Sequence, residues 1–598
     1  MVNEKEFINR LDKYKSLEVK KKKEFDIASN ARLIVFLLGV GSIIVSFVNG
    51  KTSLGIITLI IFLTMFIYLI IKHYHIERKL KRVRCKIKIN KMFIDRIRGR
   101  WIDFKDCGQE FQNPKHEYTG DLDVFGPRSL FQFISVANTY YGRIILKNLL
   151  QKPNKDRQLI KNRQEAVEEL SSKLDFTEQL QCESMIEEKM LNNPEELLSY
   201  AEDSSKMFKS KRIIYLLKVL PAITVFSFIL SLNTTILSIY FSIGLLVLQG
   251  ILFLVGFKKT SAVLSTICKF KNNLEGLNNL AELIEIEEFE SSYLAKLKSE
   301  LYCNSKSASD CIKTLSKIED AINLRYNPII YFLLNIGLLW DYECSFALEN
   351  WKNEYGKSIR IWFRVIGHYE ALSSLAVLKQ IDSRVVFPTI LEQNSIFRAT
   401  EIAHPLINLD KCIRNDINIK ENYSVVTGSN MSGKTTLLRT IGINLVLAYS
   451  GAPVFAKSLE CSSMEIFTSM RINDDLNSGI STFYAELLRI KMIIDYSHKK
   501  VPMIYLIDEI FRGTNSKDRI IGAKSVLKNL NKEWIIGLIS THDFELCDLE
   551  HEKNMSIENY HFTEHYVNNE IKFDYKLKLG RCNTTNAKYL MEMVGIEL

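Results

Sequence analysis

The chain has 598 residues, and 79 Lys and Arg against 69 Asp and Glu give it a formal net charge of +10. That length exceeds one ordinary hydrophobic core and predicts two or more domains. The positive excess suits an anionic partner such as nucleic acid or acidic lipid, but much of it flanks apolar segments, where the positive-inside bias of membrane proteins explains it equally well. The 11 cysteines, among them Cys85, Cys107, Cys268, Cys412 and Cys582, form no CxxC pair and no cysteine–histidine cluster, which predicts reduced thiols and no structural zinc. Met1 to Lys23 is charged and helix-forming, so no removable signal peptide is expected.

Two apolar segments follow, Leu33 to Val48 and Leu54 to Ile71, separated by the turn-like Asn49-Gly50-Lys51-Thr52. They read as a transmembrane hairpin, the second long enough for a bilayer core of about 30 Å and the first short of the roughly 20 residues required. A second hairpin is predicted from Val219 to Leu232 and Ile236 to Phe257, with Pro221 near its entrance and Asn233-Thr234-Thr235 between its halves. Basic residues crowd the outer flanks (Lys20 to Lys23, Arg78, Lys79, Lys209, Arg212, Lys258, Lys259) and nearly avoid the inner turns, which predicts a cytoplasmic location for both termini and all large segments. The run from Ile329 to Trp340 is too short to span and is followed by Asp341, so it is expected to be a buried core helix.

Between the hairpins, and from Thr260 to about Gln380, leucines recur at three- and four-residue spacing among charged residues, as in Asn273 to Phe289 and Ala295 to Leu301, which predicts packed helices. From Tyr423 onward short apolar runs alternate with helical patterns, the signature of a parallel sheet covered on both faces.

The chemistry concentrates there. Gly428-Ser429-Asn430-Met431-Ser432-Gly433-Lys434-Thr435 matches the phosphate-binding loop, with a predicted strand (Tyr423 to Thr427) before it and a helix from Lys434 after it. Such a loop wraps phosphates with backbone N–H groups; Lys434 offsets the charge of the β and γ phosphates, and Thr435 ligates Mg²⁺. The apolar strand Met503 to Ile507 ends in Asp508 and Glu509, the first placed to hold Mg²⁺ through its hydration shell and the second to polarise an attacking water. A third strand, Trp534 to Ile539, ends in Ser540-Thr541-His542, which puts His542 at a strand carboxyl end, where such sheets bind ligand and where it can sense the γ-phosphate. Thr436 completes the nucleotide-contacting set, and the expected ligands are ATP and Mg²⁺.

Together these residues resemble the ATPase domain of the MutS family of DNA repair proteins. Its Thr-Gly-x-Asn-Met-x-Gly-Lys-Ser/Thr pattern stands here as Thr427 to Thr435, and its Asp-Glu-x-x-Arg-Gly-Thr as Asp508 to Thr514. Asn473-Asp474-Asp475-Leu476, then Gly479 to Phe483 and Glu486, is similar to the family's signature segment, and His404-Pro405 to the segment lining its adenine pocket. Upstream, Asp121 to Gly126, Ser129 to Phe131, Asn138-Thr139, Gly142-Arg143, Pro153, Arg163-Gln164 and Ala166-Val167 resemble the start of the family's helical core, and Glu370 to Ala376 the end of its lever helices.

The resemblance implies a homodimer in which ATPase domains pair head to tail and the signature segment, with Ser481 at a helix start, completes the partner's site. It also implies DNA as a partner. The chain departs from the family where a membrane hairpin and a basic helix replace the amino-terminal mismatch-reading domain with its Phe-x-Glu motif, and where the second hairpin interrupts the helical core. The expected organisation is therefore an amino-terminal helix, hairpin (33–48, 54–71) and basic helix over 1–100; a first part of the helical core over 101–212; the second hairpin over 213–258; a helical core and lever over 259–385; and an α/β P-loop ATPase domain over 386–598. Two alternatives remain open. One is a membrane ATPase scaffold without DNA binding, in which Lys79 to Arg100 meets acidic lipid; the other is a transporter-type motor, against which stand the missing LSGGQ signature and four short spans.

Overall fold

The computed structural model describes residues 2–186, 191–203, 210–233, 237–268, 271–392, 395–408, 411–420, 423–471, 482–511, 515–552, 557–567 and 570–582. Its amino-terminal part is mostly helical and its carboxy-terminal part is built on β-sheets.

The first two helices run well past the apolar segments inside them. α1 (Val2–Val48) and α2 (Thr52–Ile97) pack antiparallel, reversing through Gly50 at φ 69°. Ring pairs mark one register along the whole length: Phe7 on Phe93 at 4.6 Å, Phe25 on His73 at 4.4 Å, and Phe36 near Phe66 at 5.8 Å. The basic stretch from Lys79 is thus the continuation of the second apolar helix, not a separate element. Its charges are largely matched: Arg82 meets Glu183 at 2.7 Å, Arg84 meets Glu18 at 2.8 Å, Lys86 meets Glu178 at 3.4 Å, and Arg98 meets Glu4 at 2.7 Å. Arg96 is buried and donates to the carbonyls of Phe133 and Ser135 at 2.7 and 2.8 Å, and burial pushes its guanidinium down to about 9.

The helical core begins with α3 (Leu130–Ile134), α4 (Tyr140–Gln151), α5 (Arg157–Ser172), α6 (Leu174–Ile186) and α7 (Glu195–Glu202). α8 (Lys211–Asn233) and α9 (Ile239–Cys268) then form the second hairpin. Along their contact a buried polar seam runs among apolar side chains: Ser227 and Ser242 hydroxyls lie 3.0 Å apart, and the Gln249 amide donates to Thr224 at 2.8 Å. α1, α2, α8 and α9 are each long and apolar enough to cross a membrane.

The chain continues through α10 (Lys271–Ile286), α11 (Ser292–Ser299), the short hairpin of β1 (Tyr302–Cys303) and β2 (Lys306–Ser307), α12 (Ala308–Asn323), α13 (Pro328–Leu338), α14 (Trp340–Tyr355) and α15 (Ile359–Ile381). α13 corrects the expectation of a buried core helix over Ile329 to Trp340. Asn335 is its one buried side chain, while Ile329, Phe332 and Leu333 are exposed, and it ends at Leu339 in a left-handed turn with a 79° bend into α14. Composition suited a core, but the helix packs on one side only, against α8 and α9.

α15 is the buried spine of the helical part. Its Glu370 carboxylate accepts from the backbone N–H groups of Asn138 at 3.0 Å and Thr139 at 3.2 Å, and from the Thr139 hydroxyl. Thr139 in turn caps α4 by accepting from the Gly142 N–H at 3.0 Å. Burial raises the Glu370 carboxyl above the ordinary range, against the pull of these donors.

The carboxy-terminal part contains β3 (Thr389–Leu391), β4 (Ile396–Ile402), β5 (Asn415–Lys420), β6 (Tyr423–Thr427), α16 (Lys434–Ser450), β7 (Ser458–Ser462), β8 (Glu465–Ser469), α17 (Thr482–Ser497), β9 (Met503–Asp508), α18 (Ser516–Leu530), β10 (Ile535–Thr541), β11 (Ile557–Val567) and β12 (Glu570–Leu579). Strands β3-β7-β4-β5 make a four-stranded sheet, and β12-β11-β6-β10-β9-β8 a six-stranded one, parallel except for β12. β6, β9 and β10 are buried at every position, which is why they read as continuous apolar runs. Val426, Ile504, Leu506, Ile536 and Leu538 face the same core as α16 and the helical part; Val425, Tyr505, Ile507 and Ile539 face the core of α17 and α18.

Asp121 and Asp123 join the two parts. Asp121 accepts from the Thr468 hydroxyl at 2.6 Å and from the N–H groups of Met470 and Arg471 at 3.2 and 2.9 Å, while Asp123 pairs with Arg439 at 3.0 Å and with Arg471. Arg489 on α17 donates to the carbonyls of Thr468, His116 and Glu117.

Truncating Glu370 strands the N–H groups of Asn138 and Thr139 and the Thr139 hydroxyl. Glu370→Ala is expected to lower stability by about 3 kcal/mol and Glu370→Gln by less, because a glutamine oxygen still accepts. Chemical denaturation of the purified protein measures both.

Candidate functional site at the strand carboxyl ends

Three adjacent parallel strands deliver the site. β10 lies between β6 and β9, with Thr541 opposite Thr427 and Ser540 opposite Asp508, so the residues that leave these strands emerge side by side. After β6 the chain turns through 428–433 and enters α16 at Lys434, as the sequence predicts. The turn needs left-handed backbone at its end: Gly433 has φ 111°, which a side chain would strain. Met431 also adopts positive φ, 67°, at the crest of the loop, and its side chain is 86% exposed.

Lys434 folds back under this loop. Its ammonium donates to the carbonyls of Gly428 and Ser429, each at 2.8 Å, and lies 3.3 Å from His542 Nε2. Thr435 donates from Oγ1 to Asp508 Oδ2 at 2.8 Å, and the Ser540 hydroxyl donates to Asp508 Oδ1. Glu509, at φ 51°, places Oε1 2.9 Å from His542 Nε2, and the same ring nitrogen lies 2.9 Å from Asn430 Oδ1. Ser429 donates its hydroxyl to Glu564 on β11 at 2.9 Å. Ser432 Oγ is buried without a hydrogen-bond partner among the described residues.

The structure therefore brings together Gly428 to Thr435, Asp508, Glu509 and His542. Thr436 faces a neighbouring cavity of 180 Å³, which is also lined by His404, Ile407, Cys412, Phe562 and Tyr575. Asn473 to Ser481 and Arg512-Gly513-Thr514 lie outside the described residues. Glu486 is described: it is buried on α17 and accepts from the Phe511 N–H, so it braces the segment after Glu509 within its own chain.

Sequence reasoning missed Ser540 as a partner of Asp508, Glu564, and the cavity walls from β11 and β12. It also missed the bidentate pair of Arg519 with Asp543, at 2.7 and 2.6 Å, beside His542. Asp543 was readable as the residue following the Ser-Thr-His strand end. Phe562 and Tyr575 carried no signal, since they reach the loop from strands more than a hundred residues away.

Residues 424–596 match the family model for MutS domain V. The carboxy-terminal domain is MutS-like. Among curated relatives, the DNA mismatch repair protein MutS of Aquifex pyrophilus is 30% identical over 240 residues, covering 39% of this chain and 27% of that protein. The MutS proteins of Prochlorococcus marinus strain MIT 9312 and of Listeria monocytogenes are 29% and 26% identical, each over 43% of this chain and over 29% and 30% of their own lengths. The chain thus matches less than a third of these relatives. The parallel sheet, the loop and the MutS-like assignment agree, and the helical part preceding them extends the chain beyond the family model.

His404 sits at the cavity wall of the MutS-like domain and accepts from the Leu406 N–H at its Nδ1, 3.2 Å away. Burial, then the nearby Arg439, push its pKa down to about 4. The unfolded imidazole binds a proton at about 6.5, so its contribution to stability is present above that value and is lost as pH falls toward 4. His404→Gln is expected to reduce the acid destabilisation between pH 6.5 and 5 by about 1 kcal/mol, read from melting curves at both pH values.

Proposed function

We propose that this chain is a membrane-anchored MutS-like ATPase that works as a nucleotide-gated homodimer and acts on DNA or a DNA-bound partner. The observation that carries the reading is the convergence of Lys434, Thr435, Asp508, Glu509 and His542 at three neighbouring strand ends, around a loop that opens a helix. A triphosphate suits this site. The orphaned Ser432 hydroxyl and the Lys434 ammonium, now resting on loop carbonyls, are donors of the kind phosphate oxygens accept from. The adjoining cavity, with Phe562 and Tyr575 in its wall, suits a base.

In this reading Thr435 and Asp508 hold Mg²⁺, which would supply charge neutralisation for the phosphates. Glu509 orients and polarises a water toward the γ-phosphorus, whose bond to the bridging oxygen breaks. His542, held between Glu509 and Asn430, senses whether the γ-phosphate is present. Dimerisation is supported by Met431, an apolar side chain standing on the loop crest where a partner would cover it.

Membrane anchoring rests on the four long apolar helices and their exposed side chains, with the termini and the ATPase domain on the cytoplasmic side. DNA is proposed from the relatives, whose names are those of mismatch repair proteins. The internal pairing of Arg82, Arg84, Lys86 and Arg98 favours one element of the second reading, a membrane ATPase scaffold without DNA, because it removes the most basic helix from the candidates for phosphodiester contact. The same pairing weakens that helix as an acidic-lipid site.

Lys434→Ala is expected to weaken ATP binding by roughly 100-fold or more, measured by calorimetry or fluorescent-nucleotide titration. Glu509→Gln is expected to bind ATP, stop turnover and accumulate a dimer in size-exclusion chromatography; brisk turnover by this variant would remove Glu509 from its role. ATPase rates of the purified protein with no DNA, perfect duplex and mismatched or branched duplex separate the two readings. Rates that differ among substrates support a DNA-directed machine, and a rate indifferent to all of them supports the scaffold.

A further inference from the structure

α13 is eleven residues long, about 16 Å at helical rise, and cannot span a bilayer core of about 30 Å. An apolar segment of that length is a core helix, an interfacial helix or a re-entrant one. Burial excludes the first: Ile329, Phe332 and Leu333 are 73%, 60% and 65% exposed, and Ile330 and Leu338 are also exposed.

The side of α13 that is covered rests on the second hairpin. Tyr331 packs its ring against Phe253 of α9 at 5.7 Å, in a cluster with Leu217 and Leu220 of α8 and Leu339, Tyr342 and Phe346 of the following turn and helix. The Tyr342 hydroxyl donates to the Leu252 carbonyl at 2.9 Å, and it approaches α9 at Gly256, where any side chain would overlap it. These contacts fix the height of α13. Phe253 precedes Lys258 and Lys259 by five and six residues, about 8 Å along the helix, and Leu217 lies beside Lys218. α13 therefore lies level with the basic end of the hairpin, where α9 also exposes the apolar Leu254 and Val255.

The ends of the element engage most of their polar groups, as a low-dielectric setting favours. Asn327 accepts from the N–H groups of Ile329 and Ile330, at 3.1 and 3.3 Å, and Pro328 has none to offer. At the other end Asn335 accepts from the Asp341 N–H at 3.0 Å, Tyr331 donates to Asp341 at 2.9 Å, and Arg325 faces the same carboxylate at 3.5 Å.

We propose that α13 is inserted in the cytoplasmic leaflet of the bilayer as a re-entrant wedge against the second hairpin, with Ile329, Phe332 and Leu333 among the acyl chains. This rests on the reading of α8 and α9 as membrane-spanning. The occupant of the exposed face is lipid, not a second copy or another protein, because the face shares its height with the exposed apolar side chains on the outside of the hairpin.

The test is photo-crosslinking of the full chain in native membranes, with p-benzoylphenylalanine replacing Phe332, Phe226 on α8, or Tyr302 in the β1–β2 hairpin, one at a time. All three side chains are exposed, so the fold tolerates the exchange. Lipid adducts at 332 and 226 and none at 302 are expected. Adducts at 226 with none at 332, or with protein adducts at 332, overturn the wedge while leaving the hairpin in the membrane. Absence of lipid adducts at both 226 and 332 overturns the wedge together with the membrane reading beneath it.

Discussion

Asp508 ends β9 with both carboxylate oxygens engaged, one by Thr435 at the start of α16 and the other by Ser540 at the end of β10. A buried carboxylate needs such donors, and here they come from the two elements that must stay in register for the loop after β6 to face Glu509 and His542. The position of Lys434 follows from that register, since α16 begins one residue before Thr435. So does the line from Asn430 through His542 to Glu509, because His542 follows the strand that Ser540 anchors. One ionic group thus holds the geometry on which the proposed chemistry depends.

The helical part is joined to this sheet by the same device. Asp121 and Asp123 receive donors from Thr468, Met470, Arg471 and Arg439, and Arg489 returns the contact to the carbonyls of His116 and Glu117. The contact falls at the carboxyl end of β8, two residues before Asn473, where the segment resembling the family's signature begins. Glu370 ties α15 to the start of α4, and the chain between α2 and α4 carries Asp121.

The sequence made the strands and the loop legible for a physical reason. β6, β9 and β10 are buried on both faces, so each had to be an unbroken apolar run, and each stops where polar ligand-facing residues begin. The helical hairpins were legible for a related reason, in that no charged residue interrupts α1, α2, α8 or α9 over their central turns. α13 was misread because composition cannot distinguish a helix buried in protein from one whose apolar face lies outside it; only its neighbours decide that. The walls of the cavity, Phe562 and Tyr575, belong to the antiparallel edge pair β11 and β12, whose partners are fixed by topology and not by local pattern. Asp121 was singled out by resemblance alone, since a contact across some 350 residues of chain leaves no trace in spacing.

The length of the first hairpin has a mechanical corollary. A bilayer around its apolar segments would leave the stretch from Lys72 to Ile97, about 39 Å of helix, projecting beyond the lipid and braced along its side by α1. Two helices in ring-to-ring register resist bending far better than a flexible tether, so in that setting they would act as a strut that sets the height of the sheet above the surface. On the proposed membrane reading, an ATPase held at fixed height would not search the cell interior; it would sample only what comes within a few nanometres of the membrane, and its substrate would have to be delivered there.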